Sequence, residues 1–238
     1  MKLEVFDDAD SVARAAAETI ATEARAAIAA RDRFALAVSG GRTPWNMLRA
    51  LAGEDVPWEG VYIFQVDERV APDGHPDRNF THLGESLLRR APLRPEQVHA
   101  MPVEMADLQA GARQYALALQ EIAGSPPVLD LVQLGLGPDG HTASLVPDDP
   151  VLGVTDANVA LTGVYQGRRR MTLTYPILNR ARRVLWVVTG SEKEKMLCHL
   201  HEGDVTIPAG RVQRQQALVL ADRAAAGALA TEYKRSGT

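Results

Sequence analysis

Six short apolar runs, each ending in glycine or polar residues, constrain this chain more than any other feature. They are FALAVS (34–39), VYIFQV (61–66), DLVQLGL (130–136), MTLTY (171–175), RVLWVVTG (183–190) and ALVLA (217–221). Runs this short and this continuously apolar read as strands buried on both faces; only MTLTY alternates. Helical stretches lie between them. Residues 9–30 are alanine-rich and free of proline and glycine, with Asp10 or Ser11 placed to cap the helix. A helix over 45–52 follows Pro44, and Asn79 is placed to cap a third through about Arg90. A fourth helix fits 106–123, and Ser191 is placed to cap a fifth.

Strand–helix alternation of this kind predicts an α/β fold whose parallel sheet is covered by helices on both faces. Ligands of such folds sit beyond the carboxyl ends of the strands, so the loops there carry the chemistry. The chain shows no repeat, low-complexity tract or linker, and its 238 residues are expected to form a single domain.

Composition narrows the function classes. Thirty acidic against 26 basic residues give a net charge of −4, which argues against a nucleic-acid coat but leaves room for a local basic pocket. One cysteine, Cys198, excludes an intrachain disulfide and a multi-cysteine zinc site. No apolar run approaches the roughly 18 residues needed to span a bilayer. The N-terminal MKLEVFDDAD is acidic and lacks the apolar core of a secretory leader. A soluble cytoplasmic protein that engages neither membrane nor nucleic acid is expected.

The first strand ends in Ser39, Gly40, Gly41, Arg42 and Thr43, a loop that opens straight into a helix. Two glycines let the backbone approach an anion, and the helix N-terminus points N–H groups at it. It is not a Walker A loop, because GK[ST] is absent. The second strand ends in Asp67, Glu68 and Arg69, where a carboxylate can orient a base and the guanidinium can face a polarised oxygen. The third ends in GLGPDGHTASLVP (135–147). Gly135, Gly137 and Gly140 match a dinucleotide-binding spacing, but Pro138, Pro147 and Pro150 deny it the necessary helix. This loop reads instead as a sharp turn presenting Asp139 and His141, with Thr142 and Ser144 nearby. Imidazole is the side chain best suited to take a proton near neutral pH.

Arg170 enters the fourth run, and Lys193 lies in the first turn of the helix after the fifth. Both are candidate anion contacts; a bound phosphate would offset the poor placement of a lysine at a helix N-terminus. His199 and His201 are two apart and would face different sides of a helix, so no metal site is expected. A serine hydrolase is disfavoured because G-x-S-x-G is absent.

Taken in order, SGGRTP, VDERVAPDGHPDRNF, GLGPDGHTASLVP, RRMTLTYPILN and TGSEK resemble the 6-phosphogluconolactonases, within a wider group of sugar-phosphate isomerases and deaminases. The resemblance runs from about residue 34 to 197. It implies a three-layer α/β/α sandwich with a mostly parallel, Rossmann-like sheet. It also implies hydrolysis of 6-phospho-D-glucono-1,5-lactone to 6-phospho-D-gluconate, in the oxidative branch of the pentose phosphate pathway. No cofactor or metal is implied, and the partner is the small sugar-phosphate lactone, bound by a monomer or weak homo-oligomer.

Within that reading, His141 is the base, Asp67 or Asp139 orients it, and Arg69 faces the oxyanion or the product carboxylate. Ser39, Gly40, Gly41, Arg42 and Thr43, with Arg170 and Lys193, hold the phosphate. Three departures stand out: Arg42 replaces a small residue, Arg78 replaces a serine before Asn79, and Arg168 and Arg169 replace a Pro-Pro-Glu lead-in. Arg42 and Arg78 are expected to reshape the pocket or add an anion contact. The rivals are a glucosamine-6-phosphate deaminase and a non-catalytic sugar-phosphate sensor. The deaminase loop carries a glutamate where this chain has Val146.

Overall fold

The computed structural model describes residues 1–227 and 229. Ten strands run in chain order as β1 (Lys2–Phe6), β2 (Phe34–Val38), β3 (Val61–Gln65), β4 (Asp67–Arg69), β5 (Val98–His99), β6 (Leu131–Leu134), β7 (Val159–Leu161), β8 (Arg170–Leu173), β9 (Arg183–Val188) and β10 (Ala217–Asp222). The α-helices are α1 (Ala9–Arg31), α2 (Arg42–Leu51), α3 (Asn79–Leu83), α4 (Leu108–Ala123), α5 (Tyr175–Leu178), α6 (Glu194–Glu202) and α7 (Arg223–Ala226).

Seven strands form one sheet in the order β1-β10-β9-β6-β2-β3-β5, and every pairing in it is parallel. Burial on both faces explains the continuous apolar runs. Along β2, Phe34, Leu36 and Val38 enter the core beneath α1 and α2, while Ala35 and Ala37 enter the opposite core with Tyr115 and Leu119 of α4. The result is the expected three-layer sandwich. The small buried face of α1, Ala13 to Ala27, lets that helix lie close against the sheet and α2. Because the sheet is parallel, the carboxyl ends of its strands share one edge.

Two features depart from the sequence reading. First, β1 precedes the first expected strand and adds to the edge of the sheet beside β10. Its KLEVF pattern escaped notice because an edge strand keeps charges on its open side, and only Leu3 is fully inward, at 1% exposure. Second, the strand within MTLTY does not join the large sheet. Met171, Thr172 and Leu173 fall in β8, which pairs antiparallel with β4 and β7 in a separate three-stranded sheet, while Tyr175 already opens α5. Val66 is the junction: its N–H bonds Val38 in β2 and its carbonyl accepts from Leu173 at the end of β8. The chain thus turns Asp67, Glu68 and Arg69 out of the large sheet and over its carboxyl edge.

Caps differ too. Asp8, not Asp10 or Ser11, caps α1 by accepting from Ser11 N at 2.7 Å. Helix α2 begins at Arg42 rather than Trp45, with Pro44 tolerated in its first turn. Asn79 is the first residue of α3 rather than its cap, and the helix continues as one π-helical turn, Gly84–Leu88. Ser191 caps nothing and lies in a 3₁₀ turn ahead of α6.

The inward packing of β1 makes a testable claim about the N-terminus. Leu3→Ala is expected to lower the unfolding free energy by about 2–4 kcal/mol in urea titration. Lys2→Ala, at an exposed position of the same strand, is expected to change it by less than about 0.5 kcal/mol.

Candidate active site

A cleft of about 610 Å³ opens at the carboxyl edge of the large sheet. The loop after β2, the β4 strand, the loop after β6, β8 and the turn after β9 all reach it. Ser39, Gly40, Gly41, Arg42, Thr43, Asp67, Arg69, His141, Arg170 and Lys193 therefore meet in one place. Asp139 stands behind His141.

The loop after β6 folds on itself: Gly137 N bonds His141 O at 2.8 Å, and Gly140 N bonds Gly137 O at 3.0 Å. That turn sets Asp139 Oδ1 2.5 Å from His141 Nδ1 and 3.2 Å from His141 N. Gly137 is obligatory here, since a Cβ on it would lie 2.1 Å from His141 Nδ1. The hydrogen bond from His141 holds the Asp139 carboxyl well below the usual carboxylate range, and a bond from Tyr165 adds to this. An ionised Asp139 fixes the neutral imidazole as its Nδ1–H tautomer. The Nε2 lone pair then has no protein partner among the described residues.

Of the two aspartates, Asp139 is the one in contact with His141. Asp67 is 4% exposed and turned elsewhere: its Oδ2 accepts from Ser144 Oγ at 2.6 Å and its Oδ1 from Asn79 Nδ2 at 3.2 Å. Asn79 in turn accepts a hydrogen bond from the Arg69 guanidinium through Oδ1. Gly40 leaves room for that amide, because a Cβ there would fall 1.8 Å from Asn79 Oδ1.

Glu68, fully buried, organises this wall. Its carboxylate accepts from Asn79 N, Phe80 N and Arg69 N, each at 2.8 Å, and so caps α3 from another strand. Arg78 Nε lies 3.1 Å from the same carboxylate, and Arg78 Nη1 donates to Ala71 O at 2.9 Å. Arg78 does not line the cleft, which corrects the expected anion contact; its bearing on the pocket runs through the wall it holds. It neutralises a buried acid and pins the loop after β4. Arg168 likewise works away from the cleft floor, with its Nε 2.8 Å from Asp77 Oδ2.

Arg170, 3% exposed, donates to Ser144 Oγ and Gln166 Oε1 and lies over the Tyr165 ring. Burial, then repulsion from Arg69, shifts its pKa downward, yet a guanidinium stays charged. Two like charges therefore share the wall.

Elsewhere along the same cleft, α2 begins on Gly41 (φ 120°) with no side chain capping it. Its first-turn N–H groups lack intrahelical partners, an arrangement suited to an anion. Exposed Arg42 and half-buried Lys193 flank this turn along the cleft. Thr43 Oγ1 pairs with Thr189 Oγ1 at 2.6 Å. Ser39, read as a ligand donor, instead donates its hydroxyl to Gln133 Oε1 at 2.9 Å and so holds the loop in shape. Asp222 accepts from Gly190 N at 3.1 Å and fixes the turn that carries Lys193.

Asn79, Tyr165, Thr189 and Asp222 were not singled out as site residues. Asn79 looks like a helix cap in sequence, and Thr189 and Asp222 simply end apolar runs. Tyr165 carries a weak signal, a Gln-Gly pair ahead of Arg168 that suits a two-residue hairpin. Among the described residues, no group of three or more His, Cys, Asp or Glu side chains is placed to hold a metal ion. No described helix is long and apolar enough to cross a membrane.

The model of the family described as glucosamine-6-phosphate isomerases/6-phosphogluconolactonase matches residues 7–220. A 6-phosphogluconolactonase from Nostoc sp. is 34% identical, over 95% of this chain and 97% of its own length. One from Synechocystis sp. is 37% identical over 83% of this chain and 82% of its own. The crystal structure of 6-phosphogluconolactonase from Thermotoga maritima has a TM-score of 0.83 at 27% identity, covering 93% of this chain and 98% of that one.

The Arg78–Glu68 pair gives the prediction of this section. Removing one partner of a buried ion pair strands the other, so Arg78→Ala is expected to cost about 3–5 kcal/mol in chemical denaturation. A loss under about 1 kcal/mol would show that the pair does not anchor the wall.

Proposed function

The chain belongs to the glucosamine-6-phosphate isomerase/6-phosphogluconolactonase family, and we propose that its cleft hydrolyses 6-phospho-D-glucono-1,5-lactone to 6-phospho-D-gluconate with His141 as the base. It is an enzyme of lactone hydrolysis in the pentose phosphate pathway, which sets aside the non-catalytic sensor. The observation carrying the mechanistic reading is the Asp139–His141 pair, in which Nδ1 of the imidazole is occupied and Nε2 has no partner among the described residues.

The substrate phosphate docks on the N-terminus of α2, at Gly40, Gly41, Arg42 and Thr43, with Lys193 and Arg170 completing the charge. Ser39 keeps that loop in register. A water then attacks C1 while His141 Nε2 takes its proton. Asp139 stabilises the imidazolium that forms. Arg69 faces the developing oxyanion, and Asn79 and Glu68 hold Arg69 in place. When the C1–ring-oxygen bond breaks, the imidazolium returns the proton to the departing oxygen, leaving a carboxylic acid that ionises. General base catalysis supplies about 10²–10⁴-fold and an oxyanion donor about 10²–10³-fold, enough for a lactone that already opens in water. Asp67 has no direct contact with His141 in this scheme; through Asn79 and Ser144 it aligns the wall that carries Arg69 and Arg170.

A deaminase must also move a carbon-bound proton and open a ring, which calls for a further carboxylate beside the histidine. Val146 occupies that place in the loop and is buried at 4% exposure. Lactonase chemistry fits the groups that remain. We read the enzyme as cytoplasmic and as a monomer or weak homo-oligomer.

Three measurements check this. His141→Asn is expected to lower kcat by about 10²–10⁴-fold and to abolish the acid limb of the rate profile, with product affinity nearly intact. Lys193→Ala is expected to raise KM far more than it lowers kcat, because a contact remote from C1 acts on ground and transition states alike. Glucosamine-6-phosphate is expected to yield no ammonia; release at a rate comparable to lactone opening would overturn the choice of reaction.

A further inference from the structure

We propose that Tyr165 is a positioning residue for the hydrolysis, its hydroxyl holding the outer oxygen of Asp139 so that the His141 imidazole is both aimed and tuned. The proposal rests on His141 acting as the base.

The Asp139 carboxylate has two oxygens with separate tasks. Oδ1 serves His141, through Nδ1 and the backbone N–H. Oδ2 accepts from Tyr165 Oη at 2.9 Å. With both oxygens held, the carboxylate cannot rotate about its Cβ–Cγ bond, and the imidazole inherits that fixed direction. The Tyr165 ring also meets the His141 ring edge-on, with centroids 5.5 Å apart and planes at 68°. On its other side, the Arg170 guanidinium lies 4.9 Å from the ring centroid. One half-buried phenol therefore touches the base, the partner of the base and a cation of the anion site.

The backbone explains how it gets there. Tyr165 and Arg168 exchange hydrogen bonds of 2.9 and 3.2 Å across a turn made by Gln166 (φ 50°) and Gly167 (φ 78°). Two consecutive positive φ values are the mark of a tight two-residue hairpin. Arg168 anchors the hairpin to Asp77, and Gln166 Oε1 accepts from Arg170 Nη2 at 3.3 Å. The hairpin thus offers two separable contacts, Tyr165 to the Asp139–His141 pair and Gln166 to Arg170.

The charged and titratable groups around this assembly set the sign of its pH effect. Asp139 and His141 come from the loop after β6, Tyr165 from the hairpin, Arg170 from β8, and Asp67, Glu68 and Arg69 from β4. The Tyr165 hydroxyl draws charge toward Oδ2. Without it, more of the carboxylate charge bears on the imidazolium, which is then favoured, so a higher pH is needed to free the base.

Tyr165→Phe removes only the hydroxyl and keeps both ring contacts. The expected result is a fall in kcat of about tenfold, the order expected for losing one hydrogen bond to a charged group. KM should stay within about twofold, and the acid limb of the rate profile should move to higher pH. Gln166→Ala should change KM and leave the acid limb in place. Wild-type kcat and acid limb in Tyr165→Phe would overturn the proposal. So would a loss of rate that merely follows a loss of thermal stability with the limb unmoved. His141→Asn, assayed alongside, separates the two levels: an active His141→Asn enzyme removes the base and the proposal together, whereas an inactive one beside a wild-type Tyr165→Phe overturns the proposal alone.

Discussion

The geometry of the cleft is built around a hydrogen bond of 2.5 Å between Asp139 and His141. Beside an ionised Asp139 it favours the neutral tautomer with the proton on Nδ1 and the lone pair on Nε2. The surrounding loop is shaped by the same bond: Gly137 must lack a side chain, and the residues from Gly137 to His141 close on themselves through backbone hydrogen bonds. Beyond Asp139, the requirement reaches the hairpin at 165–168, which is anchored to the loop after β4 by Arg168 and Asp77.

The second organising constraint is electrostatic. Arg69 and Arg170 repel each other on one wall, and the fold holds them there with buried acids. Asp67 reaches Arg170 through Ser144 and Arg69 through Asn79, while Glu68 is matched by Arg78. A wall of this kind keeps two guanidiniums in place before any substrate arrives. Such preorganisation is what an oxyanion and a phosphate require, because no reorganisation is left to be done at the moment of reaction. The same cleft also carries a different device, the uncapped N-terminus of α2, whose charge is partial and needs no counter-ion.

The layers of the fold were legible in sequence because burial on both faces writes itself as unbroken apolar runs, as in FALAVS and RVLWVVTG. The edge strand β1 was not, since Lys2 and Glu4 face outward and interrupt the pattern. Nor was the small antiparallel sheet, because β4 is three charged residues whose burial depends on partners far along the chain. At the site, the residue types at the strand ends were readable, and His141 stood out in a loop of glycines and hydroxyls. Which aspartate serves it was not readable: Asp67 and Asp139 both follow strands, and only the turn at Gly137 and the pairing of β4 with β8 separate them. Arg78 was legible only in part. Standing before Asn79, it reads as a residue that reshapes the pocket or adds an anion contact, but its guanidinium turns inward to Glu68, a partner that its place in the sequence does not reveal.

The protonation state of His141 is the most direct test of this account. Nitrogen NMR of the histidine side chains, with His141→Asn used to assign the resonance, reports which ring nitrogen of the neutral imidazole carries the proton. The account predicts the Nδ1–H tautomer for His141, with Nε2 unprotonated, and a switch toward the other tautomer in Asp139→Asn. An Nε2–H tautomer in the wild-type enzyme would contradict it, because the nitrogen assigned to receive the proton from water would already be occupied.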